Sequence, residues 1–404
     1  MNFHQLADTY GTPLYVYDFE HYTQQYNALK EAFKARKSLI SYAVKANSNL
    51  SVIKHFESLG AGADCVSIGE VRRALMCGIS PYKIIFSGVG KRDDEIKEAL
   101  ESNILFINAE SEEEVHRIEM IAESLNIEAR ISLRVNPNID PQTHPYISTG
   151  LSENKFGIDI ESAKRLYIKA HNSKHLNPIG IHFHIGSQLT QLTPIRESAA
   201  IVAELVRSLE VLNIEIKFFD IGGGLGVAYD DEILIKPYDY AQAILDQIKG
   251  LDVTVMMEPG RFLTANGGYF LTKVLYEKMT GDKRFVIVDG AMNDLLRPSL
   301  YDAYHEVELL AKNEGEKTKA DIVGPVCESG DFFVKDYLIA PTKHNDLIVV
   351  KSAGAYGMVM SSNYNTRGRP AEVAIEGEED RLIRRRETFE DIIASEEELM
   401  RGIR

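Results

Sequence analysis

The chain has 404 residues, a formal net charge of −15 and a composition that is 44% hydrophobic and 26% charged. That acidity argues against a nucleic-acid-binding surface, because no basic cluster exists beyond Arg384-Arg385-Arg386, read here as part of a solvated helix face. The length exceeds one ordinary core and predicts two or three domains, unless one is a barrel of about 250 residues.

The three cysteines, Cys65, Cys77 and Cys327, have no metal-ligand spacing and suit a reducing compartment without a disulfide framework. Met1-Asn2-Phe3-His4-Gln5 is not a charged leader followed by an apolar stretch, and no segment reaches the length of a bilayer span. A cytoplasmic protein is expected.

Residues 1–27 hold an extended stretch, Thr12 to Asp18, followed by helical periodicity through Arg36. A rhythm then begins. Apolar, β-rich runs fall at Leu39–Lys45, Gly62–Ser67, Lys83–Ser87, Ile104–Asn108, Ala129–Asn136, Gly180–Gly186, Phe218–Gly222 and Thr254–Glu258. Helical patterns lie between them, as at Asn49–Leu59, Ile68–Cys77, Ser111–Leu125 and Ile195–Leu212. Eight strands alternating with helices predict a parallel sheet closed into a (β/α)8 TIM-like barrel over residues 28–264. The long segment Asn136–Phe156 is a candidate to extend over the site.

After Arg261 the pattern changes to short β-branched runs separated by turns, from Tyr269–Tyr276 to Ala371–Ile375. This predicts a mostly antiparallel β domain over 265–404, joined by the strand of residues 1–27. The charged tail holds a short helix with Phe389, Ile392 and Ile393 on one face.

In such barrels the chemistry sits where the strands end. Lys45 closes the first strand in Tyr42-Ala43-Val44-Lys45-Ala46-Asn47. It is either a lysine snorkelling to solvent or an amine whose desolvation favours the neutral, nucleophilic form. His182 and His184, two apart in Ile181-His182-Phe183-His184-Ile185-Gly186-Ser187-Gln188, share a face of their strand. They fit core packing, base catalysis or stacking against an aromatic cofactor; metal ligation lacks acidic partners nearby in sequence.

Asp220-Ile221-Gly222-Gly223-Gly224-Leu225-Gly226 is a structural turn or a phosphate cradle. Glu258, in Glu258-Pro259-Gly260-Arg261, pairs either with Arg261 or with a cationic ring nitrogen. Downstream, Arg297 with Tyr301 suits a carboxylate, Cys327-Glu328-Ser329-Gly330-Asp331 sets a thiol among acids, and glycines frame Tyr356. Taken singly, each of these is also readable as a turn with polar surface groups.

Taken together these stretches resemble the fold-type III decarboxylases dependent on pyridoxal 5′-phosphate, over essentially the whole chain. The wider group shares Tyr42–Asn47, His184–Ser187, Gly222–Gly224 and Glu258–Arg261. Leu296-Arg297-Pro298 with Tyr301, and Cys327–Asp331, favour the branch that converts meso-2,6-diaminopimelate to L-lysine and carbon dioxide; ornithine-type relatives carry an aspartate in place of Glu328.

The resemblance implies that Lys45 holds the cofactor covalently, that His184 stacks on its ring, and that Glu258 keeps the ring nitrogen protonated. It places Ser187, Gly223, Gly224 and Gly226, with Pro259, Gly260 and Arg261, around the phosphate, and Tyr356 against cofactor and substrate. It assigns Arg261, Arg297 and Tyr301 to the retained carboxylate, Glu328 to the distal ammonium and Cys327 to protonation of the product. Cys327 and Glu328 come from the partner subunit in the family, which implies a homodimer.

Competing readings are a decarboxylase of another basic amino acid or of carboxynorspermidine, a racemase of the same fold, and a regulatory pseudo-decarboxylase that binds the cofactor without turnover.

Overall fold

The computed structural model describes residues 1–140 and 155–400. The chain divides into two compact units, one of residues 23–227 and 233–263, the other of 1–22, 228–232 and 264–404.

The first unit is the closed parallel barrel. Its strands are Ser38–Ala43, Gly62–Cys65, Ile84–Phe86, Phe106–Ala109, Ala129–Asn136, Leu176–His182, Phe218–Asp220 and Thr254–Met257. Each pairs in parallel with the next, and Thr254–Met257 returns to pair with Ser38–Ala43, which closes the ring. An added two-residue strand, Ile158–Asp159, pairs with the end of Ala129–Asn136.

Closure follows from the sequence because the strands are buried on both faces. One apolar cluster draws Ile85, Leu105, Phe106, Ile179 and Met256, with Leu39 and Phe218, from strands on several sides of the barrel, so it fills the interior. The helices between strands start where capping residues stand. Asn49, Ser67, Ser111 and Asp159 each accept a backbone N–H of the first turn ahead of Leu50–Ser58, Ile68–Met76, Glu112–Ser124 and Ile160–His171. Their apolar faces, such as Val115, Ile118 and Ala122, pack inward.

Two expected boundaries shift in a way that matters. The first strand stops at Ala43, and Lys45 lies in a single 3-10 turn, Val44–Ala46. The sixth strand starts earlier than predicted, at Leu176, and ends at His182, so His184 lies beyond it. The candidate covering segment, Asn136–Phe156, falls largely outside the described residues.

The second unit is a nine-stranded, mostly antiparallel sheet. Its long strand Gly268–Thr280 pairs antiparallel with Leu14–Asp18, Lys283–Val288 and Leu347–Val350. The N-terminal strand therefore belongs to this sheet, as expected, and also pairs in parallel with Ala371–Glu376. One face buries Leu14, Val16, Leu271, Leu347, Val349, Ala371 and Val373 beneath Leu6 and Ala7 of the helix Phe3–Tyr10. The hairpin strand Glu379–Arg384, missed in the sequence, corrects the reading of the three arginines. Arg384 ends that strand rather than lying on a helix, and the C-terminal helix begins at Phe389. Among the described residues no helix is long and apolar enough to cross a membrane.

Candidate active site

Lys45 and its neighbours are held by contacts that cross from strand to strand. The Lys45 amine donates to Asp64 Oδ2 at 2.7 Å, and Asp64 is fully buried in the second barrel strand while the lysine side chain is 36% exposed. A snorkelling lysine would turn to water; this one is paired at the barrel's end. The turn that carries it packs tightly against the turn after the eighth strand. Ala43 N–H donates to Pro259 O at 3.2 Å, and a Cβ on Gly260 would come within 2.8 Å of Ala46 Cβ.

Pairing register aligns His182 with Asp220, and Asp220 with Met256, so Glu258, two residues past Met256, points to the same face. His182 Nε2 lies 3.3 Å from Glu258 Oε2 with both side chains buried. The acidic partners that the sequence around the histidines lacks thus arrive from the next two strands. Polar atoms of His182, Asp220 and Glu258 all lie within 4.8 Å of one another.

Burial resists the charge on Glu258, but His182 and Lys45 outweigh it and hold the carboxyl well below its ordinary range. Asp220 is pushed well above its ordinary range by burial and by Glu258, and Asp64 is raised by the same two causes against the opposing pull of Lys45.

His184 has a different partner. Its Nδ1 accepts the N–H of Gly223 at 3.3 Å, which leaves the lone pair on Nδ1 and makes the ring neutral. Burial, then the cations Arg134 and Lys45, push its pKa well below the ordinary imidazole value. Arg134 is fixed by a buried pair with Glu110 at 3.1 Å.

The glycine run admits no other residue at two points. A Cβ on Gly223 would sit 2.2 Å from Glu258 O, and Gly224 has φ +110° with Gly186 O at 2.3 Å from an added Cβ. Leu189 N–H donates to Gly224 O at 2.7 Å and Gly226 N–H to Leu189 O at 3.0 Å, which locks the loop to the segment carrying Ser187. Arg261 Nε donates to Ser187 Oγ at 3.1 Å. Of the two partners weighed for Glu258, Arg261 thus turns its Nε to Ser187.

The remaining candidates lie in the second unit. Arg297 is buried, its guanidinium 4.5 Å above the Tyr229 ring and its Nη1 2.8 Å from His305 Nε2. Ser299 donates to Gly330 O at 2.5 Å, joining the Arg297–Tyr301 helix to the loop Cys327–Gly330. That loop is shaped by buried Asp331, which accepts the N–H groups of Met292 and Val326 at 2.7 Å each. Cys327 is an exposed free thiol whose N–H donates to Asn365 Oδ1 at 2.9 Å, and Glu328 accepts from Tyr364 at 3.4 Å. Tyr356 adopts a positive φ of 56°.

Residues 20–265 match the family described as pyridoxal-dependent decarboxylase, pyridoxal binding domain. A diaminopimelate decarboxylase of Campylobacter jejuni is 58% identical over 403 residues, 100% of both chains. The chain belongs to the diaminopimelate decarboxylases, within the pyridoxal-dependent decarboxylase family. A diaminopimelate decarboxylase of Pseudomonas aeruginosa is 49% identical over 97% of this chain and 94% of its own. The crystal structure of diaminopimelate decarboxylase from Helicobacter pylori complexed with L-lysine superposes with a TM-score of 0.96 at 53% identity, covering 98% of this chain and 100% of that one.

Family membership brings pyridoxal 5′-phosphate as cofactor, and the barrel residues fit it. Among the described residues Glu258 Oε1 is buried without a hydrogen-bond partner, as a carboxylate awaiting an N–H would be. The glycine run is a loop without side chains at the barrel's end, which lets a phosphate approach the backbone, and Lys45 offers an amine.

No sequence motif assigns a role to Asp64 or Asp220 singly, while His182 shares with His184 the readings of core packing, base catalysis or stacking. The signal available for Asp64 and Asp220 was an acid inside an apolar strand, which needs a partner to stay buried.

Proposed function

We propose that this chain decarboxylates meso-2,6-diaminopimelate to L-lysine and carbon dioxide, the last step of lysine synthesis, in the cytoplasm and as a homodimer. The observation that carries the reading is full-length identity of 58% with a diaminopimelate decarboxylase, combined with a barrel end holding Lys45, Glu258 and a glycine loop.

Pyridoxal 5′-phosphate, when bound, supplies a conjugated protonated pyridine that takes up the electron pair left by departing carbon dioxide. The chain's own residues prepare this. Asp64 orients the Lys45 amine. Glu258, ionised and buried, holds a proton at the ring-nitrogen position. Neutral His184 offers a flat, uncharged ring for stacking. Gly223, Gly224 and Gly226, with Ser187, Pro259, Gly260 and Arg261, surround the phosphate.

Arg297 and Tyr301, with Arg261, bind the carboxylate that is retained, and Tyr356 contacts cofactor and substrate. Holding the distal end fixes which bond stands perpendicular to the ring, so remote binding energy is used for orientation. Glu328 of the partner subunit takes the distal ammonium, and Cys327 of the partner subunit delivers the proton to the product carbon.

Incubating the purified holoenzyme with meso-diaminopimelate tests this. The expected products are L-lysine and carbon dioxide in equal amounts. Conversion to another diaminopimelate stereoisomer with all carbon retained would establish a racemase instead.

A further inference from the structure

Three carboxyl groups, Asp64, Asp220 and Glu258, are buried in one barrel end, and two of them have evident partners. Asp64 takes Lys45 and Glu258 takes His182. Asp220 has neither. His182, beside it in register, turns Nε2 to Glu258, and among the described residues Asp220 receives only the Gly222 N–H, on Oδ1 at 3.0 Å. Among the described residues its Oδ2 is buried without a hydrogen-bond partner, as is Oε1 of Glu258, and oxygens of these two acids lie within 4.8 Å of each other.

Two acceptor groups this close and this dry cannot both remain charged; a shared proton turns their repulsion into a hydrogen bond. The proton belongs to the acid with fewer donors and cations around it. Glu258 faces His182, with Lys45 and His184 near it, whereas Asp220 has the single amide. Gly222 also links the two acids through the backbone: its N–H goes to Asp220, and its carbonyl accepts the Glu258 N–H at 2.7 Å.

We propose that Asp220 is a neutral, proton-carrying positioning residue, donating from Oδ2 to Glu258 Oε1 while Oδ1 holds Gly222, so that one side chain fixes both the ring-nitrogen carboxylate and the start of the glycine loop. The proposal rests on the role given above to Glu258. The donated hydrogen bond takes one lone pair of Glu258 Oε1 and leaves the other for the ring-nitrogen proton, so it stabilises the anion without displacing its other contacts. The direction in which burial and Glu258 shift Asp220 agrees with it.

Asn at this position keeps both hydrogen bonds, an amide N–H toward Glu258 and a carbonyl oxygen toward Gly222. Ala keeps neither. Asp220→Ala is expected to lower kcat/KM and speed cofactor loss by about 10–100-fold, the size of a lost hydrogen bond to a charged group, and Asp220→Asn to recover most of both.

The direct readout is the infrared difference spectrum of wild-type holoenzyme minus Asp220→Asn at neutral pH. A protonated-carboxyl band present in the wild type and absent from the variant is expected. Absence of that band, or an Asn variant as impaired as the Ala variant, overturns the proposal. If Asp220→Ala does not fold, the spectrum, which needs only the Asn variant, still decides. A Glu258→Gln enzyme that keeps full activity while the Asp220 band persists would instead refute the role of Glu258 alone.

Discussion

At the scale of single residues, the site is a matter of which charges survive burial. Glu258 keeps its charge because His182 and Lys45 surround it, whereas His184 loses its charge because burial and two cations disfavour it. Removing the charge of Glu258 without changing its shape isolates its electrostatic part. Glu258→Gln is expected to lower kcat by about 10²–10³-fold, the range seen for a lost preorganised electrostatic group, with the cofactor still bound. A full-strength Gln variant in steady-state assays would contradict this. Lys45, His184, Glu258 and the glycines were legible in the sequence because each lies in a local motif at a strand end. The partnerships were not. Lys45 to Asp64, His182 to Glu258 and Asp220 to Gly222 join residues whose proximity, apart from the last pair, depends on the register between neighbouring strands.

At the scale of elements, the strand-to-loop junctions position the chemistry. The first strand yields to a 3-10 turn at Lys45, and the seventh to glycines whose conformations exclude side chains. At Gly224 both the φ of +110° and the 2.3 Å approach to Gly186 O oppose a methyl group. Gly224→Ala is therefore expected to cost about 1–3 kcal/mol, typical of forced backbone strain, and to weaken phosphate retention. Chemical denaturation and cofactor dialysis would check both; unchanged values would show the loop to be adaptable.

The helix and strand pattern was readable because hydrophobic period and capping residues agree, as at Ser67 and Ser111. The hairpin around Gly377 was not, because Glu379–Arg384 carries charge on an edge strand rather than an alternating apolar pattern.

At the scale of the whole molecule, barrel and sheet each hold buried acids, and the sheet's Asp294 links stability to pH. Burial pushes Asp294 up to about 7, with the Arg367 guanidinium opposing. The unfolded chain releases this proton near the ordinary carboxylate value of about 4. The folded state thus binds the extra proton between about pH 4 and 7, and the stability from it is full below that window and lost as pH rises through it. Melting temperatures across this range should fall less steeply in Asp294→Asn than in wild type, and equal slopes would refute the assignment.

The chemistry turns on one amine among many lysines. Borohydride reduction of the holoenzyme followed by peptide mapping tests it most directly. The adduct is predicted on the peptide containing Lys45 and nowhere else; an adduct on another lysine, or none, would contradict the placement of the chemistry at the end of the first barrel strand.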